Sequence, residues 1–378
     1  MNILIIPSWY QTKDNPTLGS FFREQAIALS KEGHKVSIAY TDIYSNFKEL
    51  YNDIKYMNDN GVNIYRISKY KLPKTGFRIY NYIFYSGVNK IYRKIVEEQG
   101  KPDIIHVHSS ILAGYSGMKL SRKYNIPYII TEHYTGFARG LIKGRQNKLI
   151  GQVFLNSSKV IAVSNALKND IKHYCSENQI CVIPNMTNVS QFQILPNRKS
   201  NDFVFLTVCY LTHKKGIDLL LKAFAMAFSN SENIKLIVGG DGEERAFLVK
   251  LASDLGINNK VTFTGALSRE EVVKMMQNCD VFVLPSRFET FGVVFIEALA
   301  CGKPIIASRG GGPDDIVNCN NGLLVEKENI EELSEAMKYI YDNKDKYIPE
   351  SIRQDCVNKY SEKAVSTQII DQYKLIIK

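Results

Sequence analysis

The chain has 378 residues, 45% hydrophobic and 23% charged, with a net charge of +10. That length exceeds what one hydrophobic core usually serves, so two domains are expected, each with an ample core. The proportions are those of an ordinary globular protein, no apolar run is long enough to span a bilayer, and Met1 to Ser8 runs into a strand pattern rather than a secretory leader.

The seven cysteines, an odd count without metal-ligand spacing, fit a reduced cytosol. Charge is unevenly placed: residues 1–186 hold 25 Lys and Arg against 13 Asp and Glu, while the remainder holds 23 against 25. Between Tyr65 and Ile95 the cations Arg66, Lys69, Lys71, Lys74, Arg78, Lys90, Arg93 and Lys94 have no acidic residue among them, and tyrosines and phenylalanines interleave with them. Cations beside amphipathic aromatics suit an anionic membrane surface, with a merely solvated helix face as the alternative. No recognisable nucleic-acid-binding module accompanies them, so no nucleic-acid partner is expected.

Asn2 to Pro7 reads as a buried strand, Leu18 to Lys31 as an amphipathic helix ending at Gly33, and His34 to Thr41 as the next strand. The Trp9 to Gly19 connection is long enough to fold over a ligand at the strand ends. Gly19 reads equally as a turn glycine or as a place where backbone approaches a ligand. Val62 to Ile67 is a strand and Phe77 to Gln99 the basic, tyrosine-rich helix. Asp103 to His108, Tyr128 to His133 and Val160 to Val163 are further buried-type strands, and their alternation with helical patterns predicts a parallel doubly wound sheet. Their ends carry His106 and His108, then Glu132 and His133, then Ser164 and Asn165. For each histidine a hydrogen bond to nearby backbone competes with a ligand role, and the His106–Val107–His108 pair lacks a third metal ligand.

Cys181 to Asn185 closes the first domain, and Thr187 to Asn201 is a polar linker. A second doubly wound pattern follows, with strands near Phe203 to Val208, Ile234 to Val238, Val261 to Thr264, Val281 to Leu284 and Pro304 to Ala307. The most demanding stretch is CDVFVLPSRFETFGVVFIEALACGKP, Cys279 to Pro304: a buried strand, a polar turn from Ser286 to Gly292, and an apolar helix stopped by Gly302 and Pro304. Glu289 falls at the carboxyl end of the strand, where ligands sit in such sheets. Glu297 stands among Phe295, Ile296, Ala298 and Leu299, where a carboxylate requires a hydroxyl-rich ligand, a backbone donor or an arginine.

This stretch resembles the signature of the family 4 retaining glycosyltransferases, with seven residues separating Glu289 from Glu297 around the turn at Phe291 and Gly292. The resemblance covers nearly the whole chain and is densest from Val208 to Val325. It implies the GT-B architecture, two Rossmann-like α/β domains facing a crevice: an acceptor-binding domain over residues 1–186, a nucleotide-sugar-binding domain over 187–361, and a final helix at 362–378 crossing back to the first domain. By this resemblance Glu289 touches the donor sugar's hydroxyls, Gly292, Val293 and Val294 offer amides to sugar and diphosphate, and Glu297 binds the ribose. Lys215 and Gly216, in TVCYLTHKKGIDLLLKAF, match the donor-phosphate motif. Gly240 and Leu267 match the walls of the base pocket, Gly19 the first loop, and His133, in TEHYTG, the strand-end histidine facing the donor sugar. The chain departs from the family at Cys209 and Tyr210, where glycine and arginine are usual, and at Met186, where a glycine is usual. Lys214 or Arg287 would then have to replace the missing cation.

The resemblance thus implies a retaining transferase moving a sugar from a nucleoside-diphosphate donor, expected to be a UDP-sugar, to an acceptor hydroxyl. No cofactor or divalent metal is expected, since no two aspartates are spaced two apart, and Lys215 with the helix-start amides would meet the diphosphate charge. The basic first domain favours a saccharide acceptor on a polyprenyl-diphosphate lipid, in bacterial surface-polysaccharide synthesis, and a cytoplasmic enzyme held peripherally on the membrane. A nucleotide-sugar epimerase and a non-catalytic donor-binding partner are the rival readings; a two-carboxylate hydrolase is poorer because Glu297 points along a buried helix.

Overall fold

Runs of Ile, Val and Leu with no polar face become strands buried on both sides, and the amphipathic segments between them become the covering helices. The computed structural model describes residues 1–12, 18–51, 53–195 and 202–377. Residues 13–17 of the expected first loop and 196–201 of the expected linker lie outside the described residues. The chain divides into one unit of Met1–Asn185 with Glu362–Lys378 and a second of Met186–Ser361.

The first unit's sheet comprises β1 (Asn2–Pro7), β2 (Lys35–Tyr44), β3 (Lys55–Asp59), β4 (Val62–Tyr70), β5 (Ile104–His108), β6 (Tyr128–Glu132), β7 (Lys159–Ala162) and β8 (Ile180–Val182). Its spatial order is β3-β4-β2-β1-β5-β6-β7-β8, parallel throughout except for the β3–β4 hairpin. Around it lie α1 (Ser20–Lys31), α2 (Phe77–Gln99), α3 (Ala113–Tyr124), α4 (Arg145–Leu155) and α5 (Asn165–Ile171).

The second unit's strands are β9 (Phe203–Val208), β10 (Ile234–Gly239), β11 (Val261–Gly265), β12 (Val281–Leu284), β13 (Ile305–Ser308) and β14 (Gly322–Val325). Their order, β11-β10-β9-β12-β13-β14, is wholly parallel. Numbered within the unit this is 3-2-1-4-5-6, the doubly wound arrangement in which the strand order reverses between the first and fourth strands. Its helices are α6 (Ile217–Phe228), α7 (Arg245–Asp254), α8 (Arg269–Asn278), α9 (Val293–Ala300), α10 (Ile330–Asp342) and α11 (Pro349–Tyr360). The last helix, α12 (Glu362–Ile376), packs on α1 of the first unit, where fully buried Tyr373 hydrogen-bonds the ring of His106.

Candidate functional site

In the second unit the two loops that leave the reversal point, after β9 and after β12, meet. Lys215 ends a single 3₁₀ turn, and Gly216 caps α6 with φ of +68°. A Cβ at Gly216 would lie 2.2 Å from the carbonyl oxygen of Pro285, so only glycine allows this approach. The contact carries Lys215 to Glu289, with Nζ 2.6 Å from Oε2. Burial alone would lower the Lys215 pKa, but the Glu289 carboxylate outweighs it and leaves the ammonium above its ordinary value. Glu289 is fixed through its backbone as well, its carbonyl accepting from the Gly312 amide at 2.9 Å. The Cys209 thiol is pushed up to about 12 by burial, with Lys215 lowering it and Glu289 raising it, so it stays protonated beside this pair.

Gly292, in the left-handed region at φ of +90°, turns the chain into α9; a Cβ there would strike the ring of Phe295 at 2.4 Å. Val293 and Val294 are therefore the first residues of α9, where backbone amides have no intrahelical acceptor. Phe291 is buried behind the turn, its backbone packed on Gly312. Gly240 lies against the Cys209 carbonyl, and half-buried Leu267 borders Gly239. The second acid, Glu297, is 2% exposed. Its Oε1 accepts from Arg269 Nη1 at 2.5 Å, so the arginine alternative is realised, while Oε2 has no hydrogen-bond partner among the described residues. Burial pushes this carboxyl up in pKa and Arg269 opposes the rise.

Arg287, one of the two cations expected to replace the missing arginine, is held by carboxylates of its own unit. Its guanidinium grips Asp218 with two bonds of 2.8 and 2.9 Å, and also reaches Glu328 and the His213 carbonyl at 2.8 Å each. It thus staples the Lys215 loop to the Glu289 loop. Tyr210 points outward, 65% exposed. Asp218 and Arg269 carried no site signal in the sequence: an acid in a helix's first turn and an arginine after a capping serine are both ordinary surface residues.

In the first unit His133 is buried beside β5 and β6, with its Nε2 3.1 Å from His108 Nδ1. The rings of Phe21 and Phe22 lie 4.9 and 5.2 Å from it, and His106 stacks on His108 at 4.5 Å. Burial holds His106 and His133 down to about 3 and His108 well below its ordinary value, so all three are neutral imidazoles at pH 7. Glu132 is an anchor that sequence reading placed but gave no role. Its Oε1 accepts from Ser109 Oγ and the amides of His133 and Tyr134 at 2.8 to 3.0 Å, and its Oε2 accepts from the Ser110 amide at 2.8 Å. This holds a loop in which Ser109 and Leu112 take positive φ. Gly19 caps α1 under the Phe22 ring, a local packing reason for a glycine there.

The basic stretch is smaller than its sequence suggests. Arg66 is paired with the Asp42 carboxylate and donates to the Gln11 carbonyl, and Lys94 pairs with Glu98 one helical turn on. What remains at the start of α2 is Lys71, Lys74 and Arg78 with Leu72, Ile79 and Tyr82, which are 65%, 61% and 59% exposed. Among the described residues no helix is long and apolar enough to cross a membrane.

Two doubly wound units in one chain, the second with a lysine and two glutamates around its reversal point, define a GT-B-type glycosyltransferase. Residues 18–191 match the family described as Glycosyltransferase Family 4, and residues 190–359 match Glycosyl transferases group 1. An uncharacterised glycosyltransferase of Methanocaldococcus jannaschii is 34% identical over 262 residues, 68% of this chain and 70% of that protein. The alpha-monoglucosyldiacylglycerol synthase of Acholeplasma laidlawii is 24% identical over 312 residues, 75% of this chain and 77% of that one. Among solved structures, sucrose-phosphate synthase from Thermosynechococcus elongatus superposes with a TM-score of 0.81 at 20% identity, covering 100% of this chain and 99% of that one. Anabaena HepE in complex with UDP-glucose gives 0.76 at 18%, covering 99% of each. The chain belongs to family 4 of the glycosyltransferases.

Proposed function

We propose that this glycosyltransferase is retaining, uses a UDP-sugar without a divalent metal, and glycosylates a hydroxyl of a lipid-linked saccharide in surface-polysaccharide synthesis. The observation that carries the reading is the Lys215–Glu289 contact at the reversal point, beside the amino terminus of α9. Lys215 and the amides of Val293 and Val294 present positive charge where a leaving diphosphate would need it. Glu289 accepts hydroxyl protons of the transferred sugar, and Glu297 those of the ribose. The acceptor oxygen bonds to the anomeric carbon on the face from which the phosphate oxygen departs, and that phosphate oxygen takes the acceptor's proton. Neutral His133 donates to a sugar hydroxyl. UDP-glucose bound to HepE supports the donor, and the glycolipid named in the Acholeplasma relative supports a lipid acceptor.

The cations and exposed apolar side chains at the start of α2 support peripheral attachment to an anionic membrane, on the cytoplasmic side where nucleotide sugars are made. Turnover of a panel of nucleotide sugars with and without a polyprenyl-diphosphate saccharide tests this. Acceptor-dependent release of UDP is expected. Conversion of the donor to another nucleotide sugar would favour an epimerase, and binding without turnover a non-catalytic partner, the reading that the outward Tyr210 favours.

A further inference from the structure

Glu297 and Arg269 come from different helices and are brought together by a third residue. Arg269 opens α8 behind its Ser268 cap, and its guanidinium carbon lies 4.7 Å from the ring centroid of fully buried Phe192. Phe192 is itself anchored: Arg353 donates through Nη1 to the carbonyls of Phe192 and Ala300 and through Nη2 to that of Val189 at 2.9 Å. A planar cation stacked on a fixed ring has little freedom to rotate, and it meets one oxygen of a carboxylate that is 2% exposed.

We propose that Arg269, held against Phe192, is a positioning residue of the nucleotide site: it secures Oε1 of Glu297 and leaves Oε2 to accept a ribose hydroxyl of the donor. The inference rests on the nucleotide-sugar reading above. A buried carboxylate with both oxygens unsatisfied would protonate or turn away, and a protonated acid is a weaker acceptor for a hydroxyl than a carboxylate is. The guanidinium opposes both: it works against the rise in pKa that burial causes, and it holds Oε1 in place. The unpartnered Oε2 is the independent mark of a ligand, because a buried acceptor without a donor is disfavoured unless something fills it.

The test is calorimetric binding of UDP, GDP and ADP to the full chain, followed by the best binder against its 2′-deoxy form. The wild type should favour the ribonucleotide by about tenfold or more, the worth of a hydrogen bond to a charged group. Arg269→Met should abolish that preference, and Arg269→Lys, which keeps the charge but not the flat fork, should restore part of it. In a Glu297→Gln background Arg269→Met should cost nothing further, since it acts only through Glu297. If Arg269→Met fails to fold, the double variant, which removes both charges, still gives this comparison with Glu297→Gln. A preserved preference in Arg269→Met, or an equal additional loss in both backgrounds, overturns the proposal while leaving the donor reading intact. A wild type that binds none of the three nucleotides defeats the donor reading and this inference with it.

Discussion

Lys215 and Glu289, 74 residues apart in the chain, are joined at 2.6 Å because Gly216 lets one loop settle on the carbonyl of Pro285. Since Glu289 keeps the lysine's pKa above its ordinary value, the ammonium charge persists across the pH range in which the protein would work. Lys215→Ala is therefore expected to lower turnover about a hundredfold, the order found when one preorganised oxyanion stabiliser is removed. Steady-state kinetics with a saturating donor checks this, and a loss below about threefold would move the phosphate role elsewhere.

The two acids should separate in their effects. Glu289→Ala should abolish transfer while nucleotide binding largely survives, whereas Glu297→Ala should weaken nucleotide binding itself. Calorimetry of both variants decides it, and equal losses of binding would refute the division of roles.

Arg287 is expected to act on stability. Its side chain and that of Asp218 are 10% and 13% exposed, and removing one member of so enclosed a pair strands the other charge. Arg287→Ala should lower unfolding stability by about 3 kcal/mol, read from the denaturant midpoint. An unchanged midpoint with reduced turnover would instead make Arg287 the missing phosphate cation.

The buried histidines set a pH limit on the first unit. In the unfolded chain each imidazole takes up a proton as pH falls through 6.5, but in the native unit burial holds His106 and His133 down to about 3 and His108 well below its ordinary value. Each therefore removes about 1.4 kcal/mol of stability per pH unit below that point. The melting temperature should fall steeply from pH 7 to pH 5, and His106→Gln should flatten the fall. A melting curve independent of pH over that range would contradict the buried neutral cluster.

How much of this was legible in the sequence differs by the kind of contact. Strands such as Asn2–Pro7 and Val281–Leu284 announce themselves because burial on both faces leaves no polar position. β3, KYMND, is exposed at nearly every residue, and β8 has three residues, so neither has a period to read. Glu297 was visible as a costly carboxylate in an apolar helix, Glu289 by its place at a strand end, and Lys215 only through its resemblance to a donor-phosphate motif. Their partners were not: Arg269 lies 28 residues from Glu297 and Arg287 lies 69 from Asp218, and only the sheet order brings each pair together. The same blindness made Arg66 look like a surface cation when Asp42, on the adjacent strand, pairs with it.

Attachment to membranes should be electrostatic and confined to one edge. Neutralising Lys69, Lys71, Lys74 and Arg78 together should release the protein from anionic vesicles at low salt, at about 1 kcal/mol per cation, and leave its melting temperature nearly unchanged. Sedimentation of the variant with the vesicles would return this face to an ordinary solvated surface.

Direct same-face transfer from a nucleoside diphosphate leaves its mark in the anomeric configuration of the product. Proton NMR of the purified product, formed from a UDP-α-sugar in excess chelator, should show a newly made α-linkage. A β-linkage, or no product until magnesium or manganese is restored, would contradict the account.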